Sequence, residues 1–275
     1  VLASEVHYPE EISQVLALLE STPDALIFAG GTGILRDRAD RIVELPPTVL
    51  CIHKIAELKR VNRTERFLEV GSLVTISALL DLAASGLPEP LPRVASEISV
   101  HPIRNMATLG GNLACPDRFM DLWPVLACMD ASVELRNASG TRWVNLNRLA
   151  GPDGKPGFPR ATLLTRIRIP LESADFLVAE RTGAKGYPAG DSRRFICIAN
   201  TGRGAIDSFR LAYAGTRFFR NRELEASLTG RKLPLPAKDA ELLGGQYIES
   251  LSAEWGETIF EYEALIGSLF RRLSR

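Results

Sequence analysis

The chain has 275 residues, 45% of them hydrophobic, enough for two domains with ordinary cores. Its 33 basic and 33 acidic side chains cancel to a formal charge of zero, so no bulk field draws it to nucleic acid or an anionic membrane. No apolar run approaches the ~20 residues that span a bilayer, and the opening VLASEVHYPEE lacks a basic region followed by an apolar stretch, which predicts a cytoplasmic protein.

Residues 9–20 are predicted as an amphipathic helix, with Pro9 at its first position, Glu10 and Glu11 in the first turn, and Ile12, Val15, Leu16 and Leu19 at helical spacing. An apolar strand over 25–29 follows and stops abruptly at Gly30-Gly31-Thr32-Gly33, ahead of a short helix expected over 34–38. A strand ending in glycines before a helix is how α/β folds aim backbone amides at a pyrophosphate. A further strand over 49–52 completes a β-α-β alternation, which predicts a small parallel sheet closing near Arg60.

The next elements are a strand over 67–71, a helix capped by Thr75 that carries Ile76, Leu79, Leu80 and Leu82, and a helix over 91–98. Then comes HPIRNMATLGGNLACPDRFMD, residues 101–121, which sets Gly110 and Gly111 side by side between an extended approach and a helix. Paired glycines suit a place where something approaches the backbone closely, so this run is predicted as a binding loop. Thr108 and Asn112 flank it, and the N–H groups between them can converge on phosphate oxygens. A tight turn capped by the same two residues fits the run as well.

A helix over 122–129 and a hairpin over 131–149, turning at 137–140, lead into GPDGKPGFPR, residues 151–160, predicted as an exposed connector. A strand from Leu163 ends at Pro170, a natural domain boundary. Beyond it, strands over 176–180, 195–200 and 206–212 predict an antiparallel sheet, with Gly202/Gly204 and Gly244/Gly245 taken as turns. Helices are expected over 223–228 and 239–251. A last one carries Ile259, Tyr262, Leu265, Ile266 and Leu269, and the cations Arg271, Arg272 and Arg275 suit its C-terminus.

The ordinary nucleotide fingerprints do not fit. Arg36 stands where G-x-G-x-x-G needs its third glycine, and Gly154-Lys155 is followed by Pro156 rather than Ser or Thr. Cys51, Cys115, Cys128 and Cys197 lie far apart with no C-x-x-C pair, and the three histidines are as scattered, so no disulfide framework or metal site is expected.

Ala29-Gly30-Gly31-Thr32, followed by Ile103-Arg104-Asn105, Thr108-Leu109-Gly110-Gly111-Asn112 and then Asp121 ahead of an apolar helix, resembles the FAD subunit of the molybdenum hydroxylases. That family includes the medium subunit of carbon monoxide dehydrogenase and the flavin domain of xanthine dehydrogenase. The resemblance extends to LLTRIRIP, residues 163–170, and to the C-terminal helix. It implies an α+β chain. A PCMH-type FAD-binding domain over 1–170, made of two α/β subdomains (1–60 and 61–170), precedes a C-terminal domain over 171–275 with a three-stranded antiparallel sheet and helices.

By the same resemblance, Ile27, Phe28, Ala29, Gly30, Gly31, Thr32, Gly33 and Ile34 form one cradle for FAD, and Thr108, Leu109, Gly110, Gly111 and Asn112 a second. Asp121 is assigned to the ribityl or ribose hydroxyls, with an N-cap of the following helix as its other reading. Ile98 and Leu164 are assigned to main-chain or apolar contact with the cofactor. Two departures stand out: relatives often carry Asp or Ser at the position of Gly33, and Gln at that of Pro102. A basic residue expected after the first C-terminal strand corresponds at best to Arg181, beside a local insertion over 184–192.

The first loop has no His or Cys for a covalent link, so the flavin is expected to be non-covalent. No catalytic acid–base pair is expected. The implied function is electron transfer from a molybdopterin subunit and a [2Fe–2S] subunit through FAD to NAD⁺, oxygen or a quinone. The alternatives are a flavin-free assembly subunit that keeps the fold, and a self-contained flavin oxidase.

Overall fold

Three short strands, β1 (Glu5–His7), β2 (Leu26–Phe28) and β3 (Thr48–Cys51), form a parallel sheet in the order β1-β3-β2. Helix α1 (Ile12–Ser21) links β1 to β2 and buries Ile12, Val15 and Leu19 against Leu50, Ile52, Ile55 and Leu58. It starts at Ile12 rather than Pro9, because Gln14 Oε1 accepts the N–H groups of Glu10 (2.8 Å) and Glu11 (3.2 Å) and ties off the chain ahead of the first turn. Strand β1 has no counterpart in the sequence reading: three residues, two of them exposed, are too few to show a period. Helix α2 (Thr32–Leu35) begins two residues before its predicted start.

This computed structural model describes residues 4–35, 44–115, 119, 121–151, 155–183, 192–256 and 259–275. The rest of the predicted helix over 34–38, most of the insertion over 184–192 and part of the 151–160 connector lie outside them. The chain divides into two compact units, Val1–Glu172 and Ser173–Arg275.

In the first unit, a second sheet joins β4 (Val61–Arg63), β5 (Phe67–Gly71), β6 (Ser132–Asn137), β7 (Gly140–Asn145) and β8 (Leu163–Pro170) in the order β4-β5-β8-β6-β7. Every pairing in it is antiparallel, which differs from the α/β arrangement expected for this segment. Its helices are instead grouped in sequence between β5 and β6. They are α3 (Ile76–Asp81), α4 (Leu91–Ser96), α5 (His101–Arg104), α6 (Leu109–Leu113) and α7 (Leu122–Cys128). Helix α3 is capped as expected, with Thr75 Oγ1 accepting the Ala78 N–H at 3.1 Å.

The sheet buries one acid. Glu134, 2% exposed, accepts from Thr165 Oγ1 (2.5 Å) and from Arg166 Nη2 (2.6 Å), with Arg136 Nε at 2.9 Å. Burial alone raises its carboxyl. The hydrogen bonds from Arg166 and Thr165 and the charge of Arg136 outweigh that and hold it below the ordinary carboxylate value.

The second unit is an antiparallel sheet of four strands, β9 (Phe176–Thr182), β10 (Arg193–Gly202), β11 (Ala205–Ala214) and β12 (Phe218–Phe219), in the order β12-β11-β10-β9. The expected three strands are thus joined by a fourth of only two residues. Helices α8 (Arg222–Leu228), α9 (Ala237–Trp255) and α10 (Phe260–Leu273) bury Leu243, Tyr247, Leu251, Ile266 and Phe270 with Phe195, Phe209 and Tyr213 of the sheet. Gly202 and Gly204 bracket the β10–β11 turn, as predicted, with Gly204 left-handed at φ +75°. Gly244 and Gly245 do not form a turn but lie inside α9. A Cβ on Gly244 would sit 3.5 Å from Ile266 and 3.6 Å from Phe270, ordinary van der Waals distances, so this buried position of α9 faces α10 with room for a methyl group.

Candidate cofactor site

The first glycine motif begins where β2 ends. Ile27 and Ala29 pack against the core under α1, while the remaining residues from Leu26 to Ile34 are half-buried or, at Gly33, exposed. Gly31 is left-handed, at φ +69°, and a Cβ there would lie 2.3 Å from the Phe28 ring, so the turn both needs and hides a glycine. Gly33 faces open space, with no atom within 4 Å of a built Cβ. Among the described residues no acceptor takes the N–H groups of Gly30, Gly31, Thr32 or Gly33, whereas the Ile34 N–H closes the turn onto Gly31 O at 3.1 Å.

Gly30 connects the two motifs. A Cβ at Gly30 would fall 1.8 Å from the Met106 carbonyl oxygen and 3.4 Å from the Ala107 nitrogen. The backbone of the first motif therefore lies directly against the segment that leads into the second, 76 positions later in sequence (106 minus 30). The structure thus sets the first motif against the approach to the second, the two stretches that the resemblance paired as cradles of one cofactor.

The second motif is not the loop predicted for it. His101–Arg104 is a short helix rather than an extended approach, and Leu109 to Leu113 form α6, with both glycines in its first turns. Its N–H groups are already used. Leu109 donates to Val74 O (2.9 Å), Gly110 to Ser72 O (2.8 Å), Gly111 to Thr108 Oγ1 (3.0 Å) and Asn112 to Thr108 O (2.9 Å). The anion nest expected here is therefore closed by the protein's own acceptors, and the capped-turn alternative describes it better.

Gly110 is needed for fit, since a Cβ there would lie 2.7 Å from Ser72 Cβ. Gly111 is exposed and has no positive φ. A hydroxyl that accepts a backbone N–H still has its own proton to donate, so Thr108 retains one donor.

The cap bond open to Asp121 is supplied by Asn112 instead. Asn112, 6% exposed, accepts the Leu122 N–H on Oδ1 at 3.3 Å, so it supplies a cap bond to α7. Asp121 stands at the N-cap position with helical backbone, φ −50° and ψ −36°, and makes no side-chain cap bond, which removes the N-cap reading. Leu109 and Gly110 are buried, Ile98 is 6% exposed, and Leu164 lies at 7% on β8, the strand against which α6 packs.

Ser72 escaped the sequence reading, and Arg104 entered it only as part of the Ile103-Arg104-Asn105 string, with no role. Ser72 donates its N–H to Thr165 O (2.9 Å), takes Gly110 on its carbonyl, and keeps a buried Oγ with no partner among the described residues. Arg104 donates through Nη1 to the carbonyls of Ser96 (3.2 Å), Ile98 (3.1 Å) and Ser99 (2.8 Å). Ser72 carries no local signal, and the motif that contains Arg104 says nothing of the carbonyls it gathers. Arg181, the residue proposed for a C-terminal basic contact, donates from Nε to Ser192 Oγ at 2.8 Å.

A diphosphate ester suits this ground: four open backbone donors at the first motif, the Thr108 hydroxyl and the orphaned Ser72 Oγ are neutral donors that accept negative charge without a dedicated cation. A separate cleft of about 580 Å³, bordered by Glu10, Glu57, Arg136 and Thr141, includes none of these residues.

Comparison with known proteins agrees with the geometry. The family described as the FAD binding domain in molybdopterin dehydrogenase matches residues 2–172. The chain is 26% identical over 272 residues to the nicotine 6-hydroxylase medium subunit of Paenarthrobacter nicotinovorans, across 96% of this chain and 93% of that one. It is 25% identical over 257 residues to the xanthine dehydrogenase FAD-binding subunit of Escherichia coli O157:H7, across 90% and 85%. Carbon monoxide dehydrogenase from Hydrogenophaga pseudoflava shares the fold at a TM-score of 0.80 and 19% identity, covering 98% of this chain and 94% of that one. With its two glycine motifs joined through Gly30 and its first motif rich in open donors, the chain belongs to the FAD-binding family of the molybdopterin dehydrogenases, as an oxidoreductase subunit whose cofactor is FAD.

Proposed function

We propose that this chain is the electron-transfer flavoprotein subunit of a cytoplasmic molybdenum hydroxylase complex, holding FAD non-covalently. Residues 1–170, in two subdomains meeting near residue 60, would carry the flavin, and 171–275 would form a packing domain. The observation that carries this reading is the set of open N–H groups at Gly30 to Gly33, held against the Met106 carbonyl. Each hydrogen bond from such a donor to a charged oxygen is worth roughly 1.5–3 kcal/mol. Several of them account for the ~8–12 kcal/mol of micromolar to nanomolar binding after ordering costs.

The residues divide the work by their chemistry. Gly30 to Gly33 and the Thr108 hydroxyl bind the pyrophosphate, Asp121 accepts from sugar or ribityl hydroxyls, and Ile98 and Leu164 give apolar contact. Bound FAD supplies the exchange between single-electron carriers and a two-electron acceptor. A [2Fe–2S] subunit and a molybdopterin subunit are the proposed electron donors, and NAD⁺, oxygen or a quinone the acceptor. The relatives' designation as medium or FAD-binding subunits supports a multi-subunit assembly.

Co-purification from the native host tests the reading. The chain is expected to elute with an iron–sulfur subunit and a molybdopterin subunit, and its flavin to be reduced on addition of the complex's substrate. Full substrate turnover by the lone chain would contradict it.

A further inference from the structure

We propose that Arg104 is a positioning residue for the flavin site: by gathering the carbonyls of Ser96, Ile98 and Ser99 it sets the turn that carries Ile98 and leads into the second glycine motif. The inference rests on the flavin-site reading above. All three carbonyls converge on one guanidinium nitrogen, Nη1, at 3.2, 3.1 and 2.8 Å. Ser99 within that turn is held at φ +48°, a conformation that a serine adopts at some cost. Such a turn persists where its surroundings over-determine it, and here the half-buried guanidinium does so.

The consequence reaches the site through the backbone. The turn runs directly into α5, whose Ile103 and Arg104 N–H groups bond to Val100 O at 3.0 and 3.1 Å. Ile103 O in turn accepts Ala107 N at 2.7 Å and Met106 N at 3.0 Å. That fixes the Met106 carbonyl on which Gly30 rests. Release of the turn would therefore displace Ile98 and loosen the ledge that supports the first motif. Arg104 acts on the cofactor only through these groups, with no contact of its own required.

The test is FAD titration of the full-length chain after flavin removal, followed by flavin fluorescence, with the apoprotein melting curve recorded in parallel. Loss of charge-assisted bonds predicts at least a ~10-fold rise in the FAD dissociation constant for Arg104→Met. Arg104→Lys, which offers three donors on one nitrogen, should recover part of it. Ser99→Gly in the Arg104→Met background should recover part as well, because glycine takes the left-handed turn without the cation. At saturating FAD, the visible bands of the bound flavin should shift in Arg104→Met and return toward wild type in both rescued forms.

Wild-type affinity and spectrum in Arg104→Met would overturn the inference. So would a defect that neither Arg104→Lys nor Ser99→Gly reduces. Should Arg104→Met fail to fold, Arg104→Lys with and without Ser99→Gly carries the comparison, and unchanged FAD affinity in both would again overturn it. A wild-type chain that binds no FAD would overturn the flavin-site reading and this inference together, whereas tight wild-type binding with an indifferent Arg104→Met removes the inference alone.

Discussion

Glycines that look alike in sequence do different work in this chain. Gly30 yields to a carbonyl, Gly31 to a left-handed turn over Phe28, Gly110 to Ser72, and Gly33 to nothing in the protein. Gly111 is the informative one. It is exposed and has no positive φ, and an added Cβ would meet only Thr108 Oγ1, at 2.9 Å. Gly111→Ala therefore carries no backbone strain, and alanine's helix propensity offsets slight displacement of the cap hydroxyl. The apoprotein is expected to melt within a few degrees of wild type, while FAD raises its melting temperature less than in wild type, since a ligand stabilises only the state it binds. Equal stabilisation by FAD in both proteins, measured by circular dichroism melts, would remove the second motif from the binding site.

The elements show where a sequence is readable and where it is not. Strand β8 alternates buried and half-buried residues over Thr165 to Pro170 and was legible from its period; α10 was legible from its apolar face. β1, β4 and β12 were not, since segments of two or three residues hold no period, and β1 also owes its pairing to β3, distant in sequence. In the site, AGGT and TLGGN were visible as motifs, but the closing of the second onto Ser72 and Val74 depends on a segment more than thirty residues earlier. That Asn112 rather than Asp121 takes the Leu122 N–H depends on how α6 meets α7.

Gly244 was misread because a glycine pair signals a turn locally, whereas the packing of α9 on α10 decides its place. With Ile266 and Phe270 at ordinary van der Waals distance from a built Cβ, Gly244→Ala should raise stability by up to about 1 kcal/mol through helix propensity. Gly244→Leu should lower it by roughly 1–3 kcal/mol through overpacking. Urea unfolding of both variants checks the pair, and a stable Gly244→Leu protein would show that the helices are not closely packed there.

At the scale of the whole molecule, a neutral chain whose four cysteines form no disulfide is matched over residues 2–172 to a flavin-binding family and shares its fold with a carbon monoxide dehydrogenase. Among the described residues, no helix is long and apolar enough to cross a membrane. The first unit holds both glycine motifs, and the second has a separate aromatic core around Tyr213, Tyr247 and Tyr262. Burial raises all three phenols, so these rings serve packing in their neutral form.

The central claim, that the backbone around Gly30 to Gly33 holds FAD, has one direct measurement: the visible absorption spectrum of the purified chain, before and after acid precipitation. The expected result is the two oxidised-flavin bands in the native protein, all of the flavin recovered in the acid supernatant, and a colourless pellet. A colourless native protein that also fails to take up added FAD would contradict the account.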